Sequence, residues 1–156
     1  MKKNIALVTT LVLAAAAPAI ADHTTSAPAP ATTAAGVYAE LEAQLGFVPS
    51  FIRAFPEELL PGFWEELKAL EMNPKTALDN KTKELIGLAV ASQIPCNYCV
   101  YFHTVAAKAN GATDAQVGEA IGMASLTRAG STVLNGAQPD LVQFKKDVDR
   151  IYKGHK

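Results

Sequence analysis

Cys96 and Cys99 are the two cysteines of a 156-residue chain. They stand in the stretch IPCNYCVYFH, with His103 four residues after the second. Separations of three and four residues place side chains next to each other on one helical face. At 100° per residue the three fall at about 0°, 300° and 340°, within an arc of about 60°. Val100, Ala106 and Ala107 share that side, while Asn97, Tyr101 and Lys108 lie opposite, so the trio faces the interior or a pocket lined by it. Thiols at i and i+3 are close enough to bridge with modest adjustment. Both lie near the start of a helix, where free N–H groups and the dipole favour a thiolate. An imidazole one turn beyond Cys99 can take the thiol proton. Cys99 is then the activated nucleophile and Cys96 its resolving partner. The opposite assignment stays open, because Cys96 is nearer the helix N-terminus.

A working imidazole needs an orienting group, and Glu84 is the candidate. A tight turn at Gln93 to Pro95 folds two helices against each other. Glu84 lies roughly 13 Å back along one helix and His103 roughly 12 Å along the other, so they reach the same level. A carboxylate–imidazole–thiol relay follows. Blander readings compete with it. Glu84 near a helix start could be a dipole-favoured surface acid, and His103 a satisfied core histidine. The cysteines could form an inert bridge, although so short a loop removes less unfolded-state entropy than a long one. Glu84, Cys96, Cys99 and His103 could also clamp a metal, but structural zinc sites normally draw a second Cys/His pair from elsewhere. No such pair exists in the chain.

The elements that must position these residues are helical. Periodicity predicts a short helix over Val37 to Leu45, a helical piece over Phe51 to Phe55, and an amphipathic helix over Glu57 to Met72 ended by Asn73-Pro74. Asp79 caps a helix that is apolar nearly all round from Leu85 to Ala91, the mark of a buried helix. Pro95 leads into the cysteine helix, which stops at Asn110-Gly111. A capping box at Thr113–Gln116 starts a long helix to about Leu134, rich in glycine, alanine and serine. A last helix spans Asp140 to Tyr152, with Leu141, Phe144, Val148 and Ile151 on one face. No strand pattern competes, so the fold is an all-α bundle of about six helices.

The N-terminus reads as an export signal. Lys2 and Lys3 precede a 13-residue apolar run, Ile5 to Ala17, that Pro18 ends. That is short for a membrane span of ~20 residues. Ala19-Ile20-Ala21 offers a cleavage site, so residues 1–21 are read as a signal peptide cut after Ala21. Cleavage removes two lysines and no acid, which takes the formal charge from −1 to −3. Residues 22–35 are rich in Ala, Pro and Thr and read as a linker, leaving one domain over 36–156. His23 and His155 fall in the linker and the tail. A periplasmic or secreted location permits disulfides. With 19% charged residues and a formal charge of −1, nothing points to nucleic acid, and no membrane association is expected after cleavage.

Glu84, Cys96, Cys99 and His103 together make the pattern E-x11-C-x2-C-x3-H, within LDNKTKELIGLAVASQIPCNYCVYFHTVAAKANGATDAQVGEAI. This resembles the core of the alkyl hydroperoxidase D family, within the carboxymuconolactone decarboxylase-like superfamily. The resemblance is strong over about residues 76–137, and GFVPSFIRAF at 46–55 is similar to the segment that precedes the core. It implies a helical domain that assembles as a homotrimer or hexamer. It also implies a cofactor-free thiol peroxidase in which Cys99 attacks a hydroperoxide, Cys96 resolves, and Glu84 and His103 relay protons. The best-known members carry a further histidine where this chain has Tyr98. Their reductants are cytosolic lipoylated or thioredoxin-like proteins, which an exported chain does not meet, so the resemblance leaves its dithiol reductant unknown. The superfamily's lactone decarboxylases do not use a cysteine pair. The expected function is an exported thiol-dependent peroxidase or disulfide oxidoreductase. A non-enzymatic oligomer with a structural bridge or metal clamp, and a lyase using Glu84 and His103 alone, are the alternatives.

Overall fold

The computed structural model describes residues 31–153. The signal peptide assigned to 1–21, residues 22–30 of the linker, His23 and His155 lie outside them. The described residues form six α-helices and no strand. Helix α1 is Ala34–Leu45, α2 Leu60–Leu67, α3 Asn80–Gln93, α4 Asn97–Ala109, α5 Asp114–Ala137 and α6 Leu141–Lys153. A 3-10 turn, Ser50–Ala54, precedes α2, and a π-helical turn, Lys68–Met72, extends it.

Helix α1 starts earlier than composition suggested. The Thr33 hydroxyl accepts from the Gly36 N–H at 3.1 Å, so Thr33, assigned above to the linker with Ala34 and Ala35, caps the helix that those two residues begin. Gly46 ends it at φ 76°, a left-handed conformation that glycine adopts without steric cost. Val37 and Leu41 of α1, Ile52 of the 3-10 turn, and Leu60 and Trp64 of α2 pack into one apolar cluster. Each fully buried side chain of this size stabilises the fold by about 1.5–3 kcal/mol. Glu40 braces the cluster. Its carboxylate accepts from Trp64 Nε1 at 2.8 Å and from Lys68 Nζ at 3.0 Å. Burial opposes its charge, but the bonds from Trp64, Lys68 and Gln44 outweigh that and hold the carboxyl below its ordinary 4.5.

The single helix expected over 57–72 is α2 plus the π turn. Residues 57–59 form a turn, and Pro61 sits in the first turn of α2, where its missing N–H costs nothing.

Helix α3 packs against both α4 and α5, burying Leu88, Ala91, Ala107 and Ala124. Its continuous apolar run suggested burial all round, yet Ile86 and Val90 stay 49% and 52% exposed, because the two packed helices cover only part of its circumference. At its C-terminal end, Arg128 of α5 donates to Gln93 Oε1 at 2.6 Å and to the Gln93 carbonyl at 3.1 Å, and Gln93 donates in turn to the Ala124 carbonyl. At its N-terminal end, Lys83 donates to the Leu70 carbonyl at 2.7 Å, tying α3 to the π turn.

Gly111, at φ 85°, closes α4, and the Thr113–Gln116 capping box opens α5. The long helix runs three residues past Leu134, to Ala137. A Cβ at Gly118, Gly122 or Gly130 would meet nothing within 4 Å, so these glycines do not serve close packing among the described residues. Helix α6 presents Leu141, Phe144 and Ile151 exposed.

Candidate active site

The site is built on the turn between α3 and α4. The chain leaves α3 at Gln93, and Cys96 becomes the N-cap of α4, one residue before the helix proper. Its sulfur accepts from the Cys99 N–H at 3.2 Å. The two cysteines are joined in a disulfide with their Cα atoms 5.3 Å apart. The structure thus holds the oxidised state. Both residues are partly exposed, open to a small reactant without being fully solvated.

One turn further, His103 points back onto α3. Its Nδ1 lies 2.7 Å from Glu84 Oε2. A carboxylate only accepts, so Nδ1 carries the hydrogen and Nε2 is left with its lone pair. The Glu84 side chain is 7% exposed and that of His103 22%. A hydrogen bond from the imidazole to an ionised carboxylate, shielded in this way, is stronger than one in water. Among the described residues, no hydrogen bond joins the imidazole to either sulfur. A disulfide sulfur carries no proton to give, so none is expected in this state.

Glu84 and His103 stand at equal levels on adjacent helices, as their spacing from the turn predicts. Glu84 is buried rather than a surface acid. Tyr98 is 89% exposed, so its phenol reaches solvent and not the Glu84–His103 pair. Tyr101 is exposed as well, as the helical wheel required. Among the described residues no group of three or more His, Cys, Asp or Glu side chains is placed to hold a metal ion.

Two neighbours of the pair are not evident from the sequence pattern. Gly87 lies on α3 one turn beyond Glu84. A Cβ there would sit 2.5 Å from His103 Cε1 and within 2.8 Å of two ring nitrogens. Only glycine lets the imidazole lie against the helix. A glycine inside a helix costs about 1 kcal/mol relative to alanine, and that cost was the available signal. Glu71, in the π turn, is the second. Burial and the adjoining Glu84 carboxyl raise its carboxyl above the ordinary 4.5. Its signal was the spacing 60, 64, 67, 71, which puts an acid in line with Leu60, Trp64 and Leu67.

The carboxymuconolactone decarboxylase family matches residues 58–139, which include all of these side chains. The crystal structure of the alkylhydroperoxidase AhpD core from Rhodospirillum rubrum is similar over 69% of this chain and 82% of that one, with 32% identity and a TM-score of 0.61. "Uncharacterized protein 4 in cox locus" of Paracoccus denitrificans is 46% identical over 55 residues, 35% of this chain. The chain spans about half the length of that curated relative. A helical fold with a CxxC pair and a buried Glu–His contact, matched over more than half its length by one family, makes this chain a member of the carboxymuconolactone decarboxylase family, of alkylhydroperoxidase D-like type.

Proposed function

We propose that the protein is an exported thiol-dependent peroxidase, with disulfide exchange as the chemistry that recycles it. The observation that carries this is the buried Glu84–His103 pair, with its 2.7 Å contact, one helical turn from a cysteine pair already joined as a disulfide. In the reduced protein, His103 Nε2 takes the Cys99 proton while Glu84 stabilises the imidazolium. The thiolate attacks the outer oxygen of a hydroperoxide and breaks the O–O bond. Cys99 becomes a sulfenic acid, and the departing alkoxide takes the proton from His103 and leaves as an alcohol. The Cys96 thiol then attacks the Cys99 sulfur, water leaves, and the disulfide forms. A small external dithiol returns two electrons and two protons by exchange. The similar R. rubrum protein is named an alkylhydroperoxidase, which supports the same reaction class here.

The test is hydroperoxide consumption by the reduced protein with a dithiol donor. Cys99→Ser is expected to abolish turnover. Cys96→Ser is expected to consume about one equivalent and stop as the sulfenic acid. Turnover that survives loss of both cysteines would replace this proposal with cofactor-free lyase chemistry at Glu84 and His103. We also propose a periplasmic or secreted location and a homo-oligomer. The uncovered apolar side chains of α5 and α6, among them Met123, Leu126, Leu141 and Phe144, support assembly.

A further inference from the structure

The Glu84–His103 pair has a third member. Glu71 Oε2 is sealed from solvent and meets no hydrogen-bond donor among the described residues. Its neighbour is the Glu84 carboxyl, within hydrogen-bonding reach. Two ionised carboxylates face only acceptors in such a contact and repel each other, whereas one hydrogen between them turns it into an O–H···O⁻ bond. Glu84 is the partner that carries the charge, because its Oε2 is engaged by His103 Nδ1.

The charged and titratable groups facing Glu71 are Glu84, His103 and Lys83. His103 and Lys83 favour its ionised form, but each is engaged elsewhere. Lys83 Nζ donates to the Leu70 carbonyl at 2.7 Å and to Asn80 Oδ1 at 3.2 Å, and His103 Nδ1 to Glu84. Burial and the Glu84 charge outweigh both attractions. The π-helical geometry of Lys68–Met72 is itself a local departure of a kind frequent at functional sites.

We propose that Glu71 is a positioning residue: as a neutral acid it donates its hydrogen to the Glu84 carboxylate, and so sets how firmly Glu84 holds the His103 ring. It rests on the proton relay proposed above, and it adds a control on that relay. A carboxylate shared between two donors attracts each less than one would. Glu71 therefore keeps Glu84 from binding the imidazolium too tightly to release its proton to the alkoxide, while keeping Nδ1 in the tautomer that leaves Nε2 free. Ionisation of Glu71 as pH rises through its raised value removes the donor, adds a second negative charge, and traps the proton on His103.

The protein labelled with nitrogen-15 histidine provides a test that does not require peroxidase activity. The pH midpoint for protonation of the His103 ring nitrogens is compared in the wild type, Glu71→Gln and Glu71→Leu. The glutamine amide still donates, so its midpoint is expected to match the wild type. The leucine variant loses the donor, and its midpoint is expected to rise by about 0.5–1 pH unit, the equivalent of one hydrogen bond. Equal midpoints in all three would make Glu71 a packing residue and overturn the proposal. If Glu71→Leu does not fold, infrared difference spectra of the wild type minus Glu71→Gln decide the matter. A protonated-carboxyl C=O band at neutral pH supports the neutral acid, and its absence overturns it. Loss of peroxide turnover in Cys99→Ser is a separate result, so failure of the positioning role and failure of the peroxidase proposal are distinguishable.

Discussion

A single hydrogen atom on Gly87 decides whether His103 can lie where it does. The imidazole occupies the space a Cβ would take, with ring atoms 2.5 to 2.8 Å from it. Gly87→Ala is expected to improve helix propensity by about 1 kcal/mol while pushing the ring off Glu84. A displacement of about 1 Å at a reacting group can cost about 10²-fold in rate. The expected result is a comparable fall in kcat/KM for hydroperoxide with helical content unchanged by far-UV circular dichroism; an unchanged rate would show that the ring contact is not functional. Glu71 has a thermodynamic signature at the same scale. Its folded-state carboxyl lies above the ordinary value, so the native protein holds the proton more tightly than the unfolded chain does. That contribution is complete below the ordinary carboxylate range and is lost as pH rises through the raised folded value. Denaturant titrations should show this loss with rising pH in the wild type and its absence in Glu71→Gln.

Among the elements, α3 has the most to position. It carries Glu84 and Gly87 on the side that meets α4, and Leu88 on the side that locks it into the bundle. Leu88 is 0% exposed, so Leu88→Ala is expected to destabilise the fold by about 2–5 kcal/mol. Guanidinium denaturation would measure it, and a loss under about 1 kcal/mol would show that the α3–α4–α5 packing is not what holds the site. The helices themselves were readable from spacing and caps: Asp79 before α3, Asn110-Gly111 after α4, and the Thr113–Gln116 box all stand where expected. The π turn after Leu67 was not readable. Its residues suit an ordinary helix, and the widening goes with tertiary contacts, Lys83 on the Leu70 carbonyl and Glu71 on Glu84.

At the level of the whole molecule, two features have stability consequences. Glu40 joins α1 to α2 through Trp64 and Lys68. Its carboxyl is held below the ordinary value, so its contribution is present above the ordinary carboxylate range and is lost as pH falls through the lowered folded value. Glu40→Ala leaves Trp64 Nε1 without its acceptor and is expected to cost about 1–3 kcal/mol at neutral pH, and less in acid. Thermal melts at two pH values would check it. Helices α5 and α6 expose Leu126, Leu141, Phe144 and Ile151. Light scattering is expected to give a mass several times that of one chain. Replacing Phe144 and Ile151 with Asp is expected to reduce it to one; a wild-type monomer would remove the proposed assembly.

By itself the sequence determined the helical class, most helix boundaries and the pairing of Glu84 with the CxxC-His segment, because these follow from local periodicity, caps and a turn too short to allow any other packing of α3 on α4. Tertiary structure alone decided that a second acid, Glu71, adjoins the first, that Gly87 makes room for a ring, and that Tyr98 stays in solvent. Those outcomes depend on where separate elements meet in space. Side chains 13 residues apart become neighbours only after burial has brought the π turn against α3, and no spacing rule along one helix contains that information.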